Sequence, residues 1–347
     1  MTGFGKVAAS LALASGLLGS TLASAQTVEE FYRGKTINII VGTGENSGAV
    51  EAYPRAILQV IKRHIPGNPN IILSNMPGAG GIKAANYIYS IAPQDGTVWG
   101  FITRGFVLAA ILKIPQAQFD PARFQWIGSP ARGVSVGEYW TASTSARTIQ
   151  DAMRQEIVVG ATSAGQDTGV FPAMLNRFVG TKFRIVTGYK SSGEIDLAME
   201  RGEAQGKIGV TWTSLNSGRT VEWVPKKIVT IVVQFGLEPT PGIPPEAPVA
   251  LSLAKNDADR QAMEVLCTPT ALGYPSFMGP GVPADRIAAL RAACVKTMSD
   301  PEFLDIAKRQ NLDVDPIGAE ELTRVVKHAA SLPDATISRA REVLPNL

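Results

Sequence analysis

Apolar runs that end in Gly, Ser or Thr recur along this chain, and most lead into a segment with helical spacing. TINIIVGTG, over Thr36 to Gly44, is the first; NIILSNMPGAGG, TVWGFITRG, EIVVGATSAGQ, FRIVTGYKSSGE and KIVTIVVQFG follow. Short apolar runs bounded by turn residues read as buried strands. Between them Ile82, Ala85, Ile88 and Tyr89 share one helical face, as do Phe171, Met174, Leu175 and Phe178. The strand-then-helix rhythm predicts an α/β protein with a mostly parallel sheet covered by helices. Pro275 to Pro283 is rich in Gly and Pro, and beyond it Ile287, Leu290 and Cys294 open a C-terminal region that reads as all helical. There is no repeat and no low-complexity tract.

A length of 347 residues, with 45% apolar, 18% charged and 7% aromatic residues, places the chain in the soluble globular class, with two domains expected. The net charge of +3 is not gathered into a basic block, so the electrostatic footprint of a nucleic-acid binder is missing. Lys6, the small and apolar run from Val7 to Leu22, and Ala23-Ser24-Ala25 together match a secretory leader with an A-x-A cleavage site. Residues 1–25 are therefore expected to be removed, leaving a mature chain that begins near Gln26. No cysteine follows the small residues to carry a lipid, and no later run approaches the roughly 20 apolar residues needed to span a bilayer. Cys267 and Cys294 could form one bridge in an oxidising compartment or remain two buried thiols.

In open parallel sheets a ligand sits beyond the C-terminal strand ends, where loops feed helix N-termini and unpaired N–H groups point outward. Four loops have that design: Gly42 to Gly48, Pro77 to Gly81, Ala161 to Thr168, and Tyr189 to Glu194. Each offers glycine, hydroxyl or amide groups rather than a strong acid or base. That chemistry suits an anion held by amides and hydroxyls, with helix dipoles adding about 0.3 to 1 kcal/mol each. No glycine is followed by Lys-Ser or Lys-Thr at the spacing of a phosphate-binding P-loop. Gly42, Gly44 and Gly48 approach the dinucleotide pattern G-x-G-x-x-G, but the last interval is one residue too long.

A serine hydrolase is the alternative. Ala161-Thr162-Ser163-Ala164-Gly165 differs from the G-x-S-x-G nucleophile elbow only at its first position, and His328 lies downstream as that fold requires. Against it, His328 falls in a helical pattern with Val325, Val326, Ala329 and Leu332, and His64, the second histidine, stands beside Lys62 and Arg63 on an amphipathic segment. Without an H-E-x-x-H motif or a Cys/His cluster there are no candidate metal ligands. Neither a metal nor a cofactor is expected.

NMPGAGGIKAANYIYSIAPQDGTVWG, from Asn75, resembles the N-x-PGAGG-x-x-A-A-N-x-x-x-x-x-APxDGT signature of the solute receptors of tripartite tricarboxylate transporters, the Bug family. The resemblance continues through GATSAGQDTGVFPAMLNRFVG, GYKSSGEIDLAMERGEAQG and FMGPGVPADRIAALRAA, and so covers essentially the whole mature chain. It implies a periplasmic substrate-binding protein of the type II, Venus-flytrap fold. Such a receptor closes two lobes around a small organic acid, often a di- or tricarboxylate, and delivers it to membrane permease subunits. No catalysis is implied, and a monomer is expected. Lobe one is expected over 26–133 plus 275–347 and lobe two over 134–274, with hinges near Val134 to Trp140 and Ala271 to Phe277.

Carried onto this chain, the resemblance places ligand contacts at Thr43, Gly44, Gly80, Gly81, Thr103 and Arg104 in lobe one, and at Ser163, Gly165, Gln166 and Thr168 in lobe two. The first loop departs from the family pattern. Glu51 and Arg55 fall near the expected acidic and arginine positions, but Glu45 and Asn46 replace small residues at the ligand-facing turn, and Gln166 stands where a serine is usual. These changes favour a neutral or amine-bearing ligand. Asp167 could face an amine or cap its helix, and Arg104 and Arg132 could each pair with a carboxylate or bridge the lobes. Ser191-x-x-Glu194 fits a capping box, while Tyr189 and Ser192 are expected to border the cleft.

Overall fold

The structure, a computed structural model, describes residues 26–45, 49–216 and 220–344. The expected leader and Asn46 lie outside the described residues. In chain order the first part comprises α1 (Val28–Tyr32), β1 (Thr36–Val41), α2 (Ala49–Ile61), β2 (Asn70–Asn75), α3 (Ile82–Ser90), β3 (Val98–Phe101), α4 (Gly105–Ile111) and β4 (Gln125–Ser129). Next come β5 (Ser135–Trp140), α5 (Asp151–Arg154), β6 (Ile157–Ala161), α6 (Asp167–Met174), β7 (Phe183–Thr187), α7 (Ser192–Glu200), β8 (Gly206–Thr211), α8 (Trp212–Leu215) and β9 (Val229–Phe235). The last part is α9 (Asp257–Leu272), β10 (Ser276–Met278), α10 (Ala284–Met298), α11 (Pro301–Arg309), β11 (Ile317–Gly318), α12 (Ala319–Ala330) and α13 (Asp334–Arg341).

The strands form two sheets flanked by helices. The first runs β11-β4-β10-β3-β1-β2 and the second β7-β6-β8-β5-β9. Both are mixed. β1 pairs in parallel with β2 and β3, and β6 with β7 and β8, as the apolar runs imply. β10 and β11 add antiparallel strands to the first sheet, and β5 runs antiparallel to both β8 and β9 in the second. The Gly/Pro-rich stretch thus holds a strand, and the C-terminal region is not entirely helical, because Ile317 and Gly318 seal the sheet edge against β4.

β1 is buried on both faces because β3 and β2 flank it and helices cover it, whereas edge strand β2 stays half exposed. Local capping agrees with the sequence. Thr27 and Glu30 form a reciprocal capping box on α1, and Ser191 accepts the Glu194 amide at 3.3 Å on α7. The Glu194 carboxylate reaches the Lys190 amide instead, so only half of the expected box forms. Glu51 is buried and pairs with Arg55 one turn along α2 at 2.5 Å, which accounts for both residues within the helix.

The chain crosses from the first sheet to the second over 130–134. The stretch read as a hinge is largely β5, fixed between β8 and β9. The return crossing follows α9, where Gly273 has φ +63° and a Cβ would sit 1.9 Å from the Ala131 carbonyl oxygen. The two crossings therefore pass in contact, which only glycine permits. α9 packs on α13, α12 and α4 on one side and on α6 on the other, so it lies along the seam between the sheets. The largest core cluster spans that seam, from stacked Phe106 and Phe277, 5.0 Å apart, to stacked Phe171 and Phe235, 4.2 Å apart. Cys267 and Cys294 are separate buried thiols.

Candidate functional site

The start of α2, the loops after β2 and β3, and those after β6, β7 and β8 converge on one cavity of about 770 Å³ between the sheets, a size within the usual range for small-molecule sites. Each loop leaves a strand at its C-terminal end, so glycine and hydroxyl groups gather where the backbone has spare donors. From the first sheet come Gly80, Thr103 and Arg104; from the second, Ser163, Gly165, Gln166, Asp167, Thr168 and Ser192. Thr103 donates to the Gly80 carbonyl at 2.8 Å and ties two of these loops together.

The second-sheet loop is braced by close backbone packing. Thr168 accepts the Thr162 amide at 3.1 Å, and the two hydroxyls are also 3.1 Å apart. Beneath the loop, Gly209 has φ +104°, and a Cβ there would come within 2.6 Å of the Asp167 backbone. β8 can therefore press directly against the start of α6.

Arg104 and Asp167 join the two halves. Arg104 lies immediately before α4, Asp167 is the first residue of α6, and Nη2 meets Oδ2 at 2.6 Å. The same guanidinium donates to the Gly133 carbonyl and, at 3.1 Å, to the Ser135 hydroxyl, which in turn donates to Asp167 at 3.2 Å. Arg104 is held on three sides and is only 14% exposed, against 36% for Asp167. An aspartate in the first turn also complements the helix dipole. Asp167 therefore complements the helix dipole and faces the cavity, but its carboxylate makes no cap on α6.

Several expected contacts lie elsewhere. Thr43, Gly44 and Glu45 are not in the described lining; Glu45 is exposed, and Thr43 Oγ1 is buried with no hydrogen-bond partner among the described residues. Gly81 lies beneath the loop: a Cβ would fall 2.2 Å from Ile102 Cγ2, so its glycine serves packing rather than contact. Tyr189 packs over Gly160 in the second-sheet core. Arg132 points away, bound to Glu321 at 3.0 Å and near Asp315 at 3.3 Å.

Other lining residues escaped the sequence reading. Thr211 ends β8, Ser214 lies in α8, and Tyr274 sits with its ring centroid 4.6 Å from that of Tyr53 at a tilt of 46° and its amide on Ser129. An apolar wall formed by Phe106, Leu108, Leu112, Phe171, Leu266 and Pro269 extends the cavity between α4, α6 and α9. Helical spacing marks these residues only as core.

A hydrolase is not supported. No histidine lines the cavity among the described residues: His328 lies 3.0 Å from Glu264 on the helical layer, and His64 bonds Asp300 at 2.7 Å. Ser163 consequently has no base beside it. Among the described residues no group of His, Cys, Asp and Glu is placed to hold a metal ion.

No family model and no curated protein matches the chain in sequence. Its architecture does match solved structures. A TctC solute-binding protein from Polaromonas superposes with a TM-score of 0.67 at 16% identity, covering 91% of this chain and 100% of that one. The fold is that of a periplasmic solute-binding protein. The periplasmic binding protein BugD matches at TM-score 0.60 and 14% identity, with coverages of 90% and 98%. MatC from Rhodopseudomonas palustris, with bound malate, gives 0.59 and 16%, with coverages of 89% and 99%. The two sheets are thus the two lobes of the type II α/β receptor fold, and the cavity lies in the cleft between them.

Proposed function

We propose that this chain is the solute receptor of a tripartite tricarboxylate-type transporter, exported to the periplasm after cleavage behind Ala25, where it captures a small organic acid between its lobes. The observation that carries this reading is the cleft itself: loops from both sheets line one cavity, and the Arg104–Asp167 ion pair spans it. A ligand touching both lobes favours closure by whatever it binds in the closed form beyond the open one. The organic-acid class is supported by the malate in MatC and by the amide and hydroxyl lining here. Three or four charge-assisted hydrogen bonds at about 1.5 to 3 kcal/mol each, less the cost of ordering, reach micromolar affinity.

Lobe one combines the segment before about residue 133 with the C-terminal helices, and lobe two the segment between, with α9 along the seam. Gly80, Thr103 and Arg104 would hold the ligand from one side, and Ser163, Gly165, Gln166 and Asp167 from the other. On closure, Thr43, Gly44 and Glu45 would complete the site. The receptor would act as a monomer that docks on permease subunits in the membrane. A thermal-shift screen of the exported protein against small carboxylates, amino acids and neutral analogues tests this. Stabilisation by an unaltered acid, weakened by Thr103→Ala or Ser163→Ala, is expected; ester turnover abolished by Ser163→Ala would overturn it.

A further inference from the structure

We infer that the ligand is a zwitterion: an amino acid whose carboxylate meets Arg104, whose ammonium meets Asp167, and whose apolar side chain lies along the wall between α4 and α6. This rests on the receptor reading above and names the substrate class of the same site.

Charge is the first argument. Among the described residues Arg104 and Asp167 are the only charged side chains lining the cavity, and they neutralise one another at 2.6 Å. A dicarboxylate would bring two negative charges into a lining of no net charge. A monocarboxylate could take Arg104 only beside the Asp167 carboxylate, a like-charge contact that costs roughly tenfold or more in affinity in a partly desolvated site. A ligand carrying both signs on neighbouring atoms satisfies both groups. It can enter between them, exchanging the internal ion pair for two pairs of its own.

Geometry fixes the orientation. Ser135 and the Gly133 carbonyl anchor the guanidinium from the protein side, so Arg104 is held in place when a ligand engages it. Asp167, the more exposed of the two, has its second oxygen free of any hydrogen bond among the described residues and is the natural acceptor for an ammonium. Leu108 lies four residues after Arg104 and Phe171 four after Asp167, so each stands one helical turn beyond its charged residue and on the same face. Both line the cavity, with Leu266 and Pro269 of α9 closing the far side. A side chain continuing inward from the charged pair therefore meets aliphatic and aromatic surface. The neutral hydroxyl and amide groups of Ser163, Gln166 and Thr211 remain for the outer carboxylate oxygen.

Calorimetry on the exported protein tests this with three matched sets: leucine, phenylalanine and tryptophan; the same molecules without the amine, 4-methylpentanoate, 3-phenylpropanoate and indole-3-propanoate; and the dicarboxylates malate and adipate. At least one amino acid should bind ten times or more tightly than its deaminated partner and than either dicarboxylate. Asp167→Asn should abolish that preference without weakening the deaminated acid, whereas Arg104→Gln should weaken both, and thermal melts of both variants check that they fold. A deaminated acid or a dicarboxylate binding as tightly as every amino acid overturns the zwitterion and leaves the receptor standing. If no acid of any set binds, the receptor reading falls and this inference falls with it.

Discussion

Replacing Arg104 by alanine removes the one charged side chain of the first lobe that lines the cleft among the described residues, and its cost can be worked out from its contacts. The guanidinium makes a 2.6 Å bond to Asp167, a 3.1 Å bond to the Ser135 hydroxyl and a further bond to the Gly133 carbonyl. Breaking a fully buried ion pair from one side costs about 3 to 5 kcal/mol, and an exposed pair contributes about 0.2 to 1. With side-chain exposures of 14% and 36% this pair falls between. A coupling of about 1 to 2 kcal/mol is expected, and Arg104→Ala should cost about 2 to 3 kcal/mol once the neutral bonds, at about 0.5 to 1.5 each, are partly discounted. The loss should lower the melting temperature by about 2 °C or more per kcal/mol. The assay is a double-mutant cycle of Arg104→Ala and Asp167→Asn by urea denaturation of the ligand-free protein, followed by tryptophan fluorescence. Trp99 and Trp126 lie in the first sheet and Trp140 in the second, so both lobes report. Additivity of the two changes within about 0.3 kcal/mol would refute an interaction across the lobes.

Three further outcomes are expected. Gly209→Ala, with φ +104° and its Cβ 2.6 Å from the Asp167 backbone, should displace the start of α6 and weaken ligand binding more than tenfold, read by calorimetry against the thermal melt. Glu138 lies inside the second lobe with Lys207 Nζ at 3.3 Å, and burial raises its carboxyl from 4.5 to about 7 despite the pull of Lys207. Because the folded chain holds this proton more tightly than the unfolded one, the group's contribution is complete below pH 4.5 and is lost as pH rises to 7. Glu138→Gln should then match the wild type at pH 4.5 and exceed it at pH 7.5 by up to about 3 kcal/mol; parallel pH profiles would refute this. Burial raises both thiols, Cys294 to about 12. Neither cysteine should react with a thiol reagent until the protein unfolds, and both should react then.

The strands legible in the sequence were those that gather apolar residues into one run. β1, β2, β3, β6, β7 and β9 are of that kind, and the glycines and hydroxyls after most of them marked the cleft loops. β5 and β8 were not legible, because SVGEYW and GKIGVT each carry a charged residue that looks wrong for a buried strand. Glu138 and Lys207 are tolerated only because they meet each other, with Asp196, across 69 positions of sequence. β10 was hidden by glycine and proline, which here serve an antiparallel strand between close crossings. Within the site, Arg104 and Asp167 were each legible as ligand candidates, but their pairing depends on how two lobes meet, which no local pattern encodes. Gly81 and Tyr189 carried the same composition signal as true lining residues, yet close packing on Ile102 and Gly160 explains them. The apolar wall around Phe171 and Leu266 reads as core until the cavity beside it is seen.

Capture of an unaltered acid in the cleft is the central claim, and equilibrium dialysis tests it most directly. The purified protein lacking residues 1–25 is dialysed against a pool of carboxylates and amino acids, and the retained molecules are identified by mass spectrometry before and after denaturation. One equivalent of a single acid, chemically unchanged and lost when Arg104 is replaced by alanine, is the predicted result. Retention of no acid, or recovery of a converted product, would contradict it.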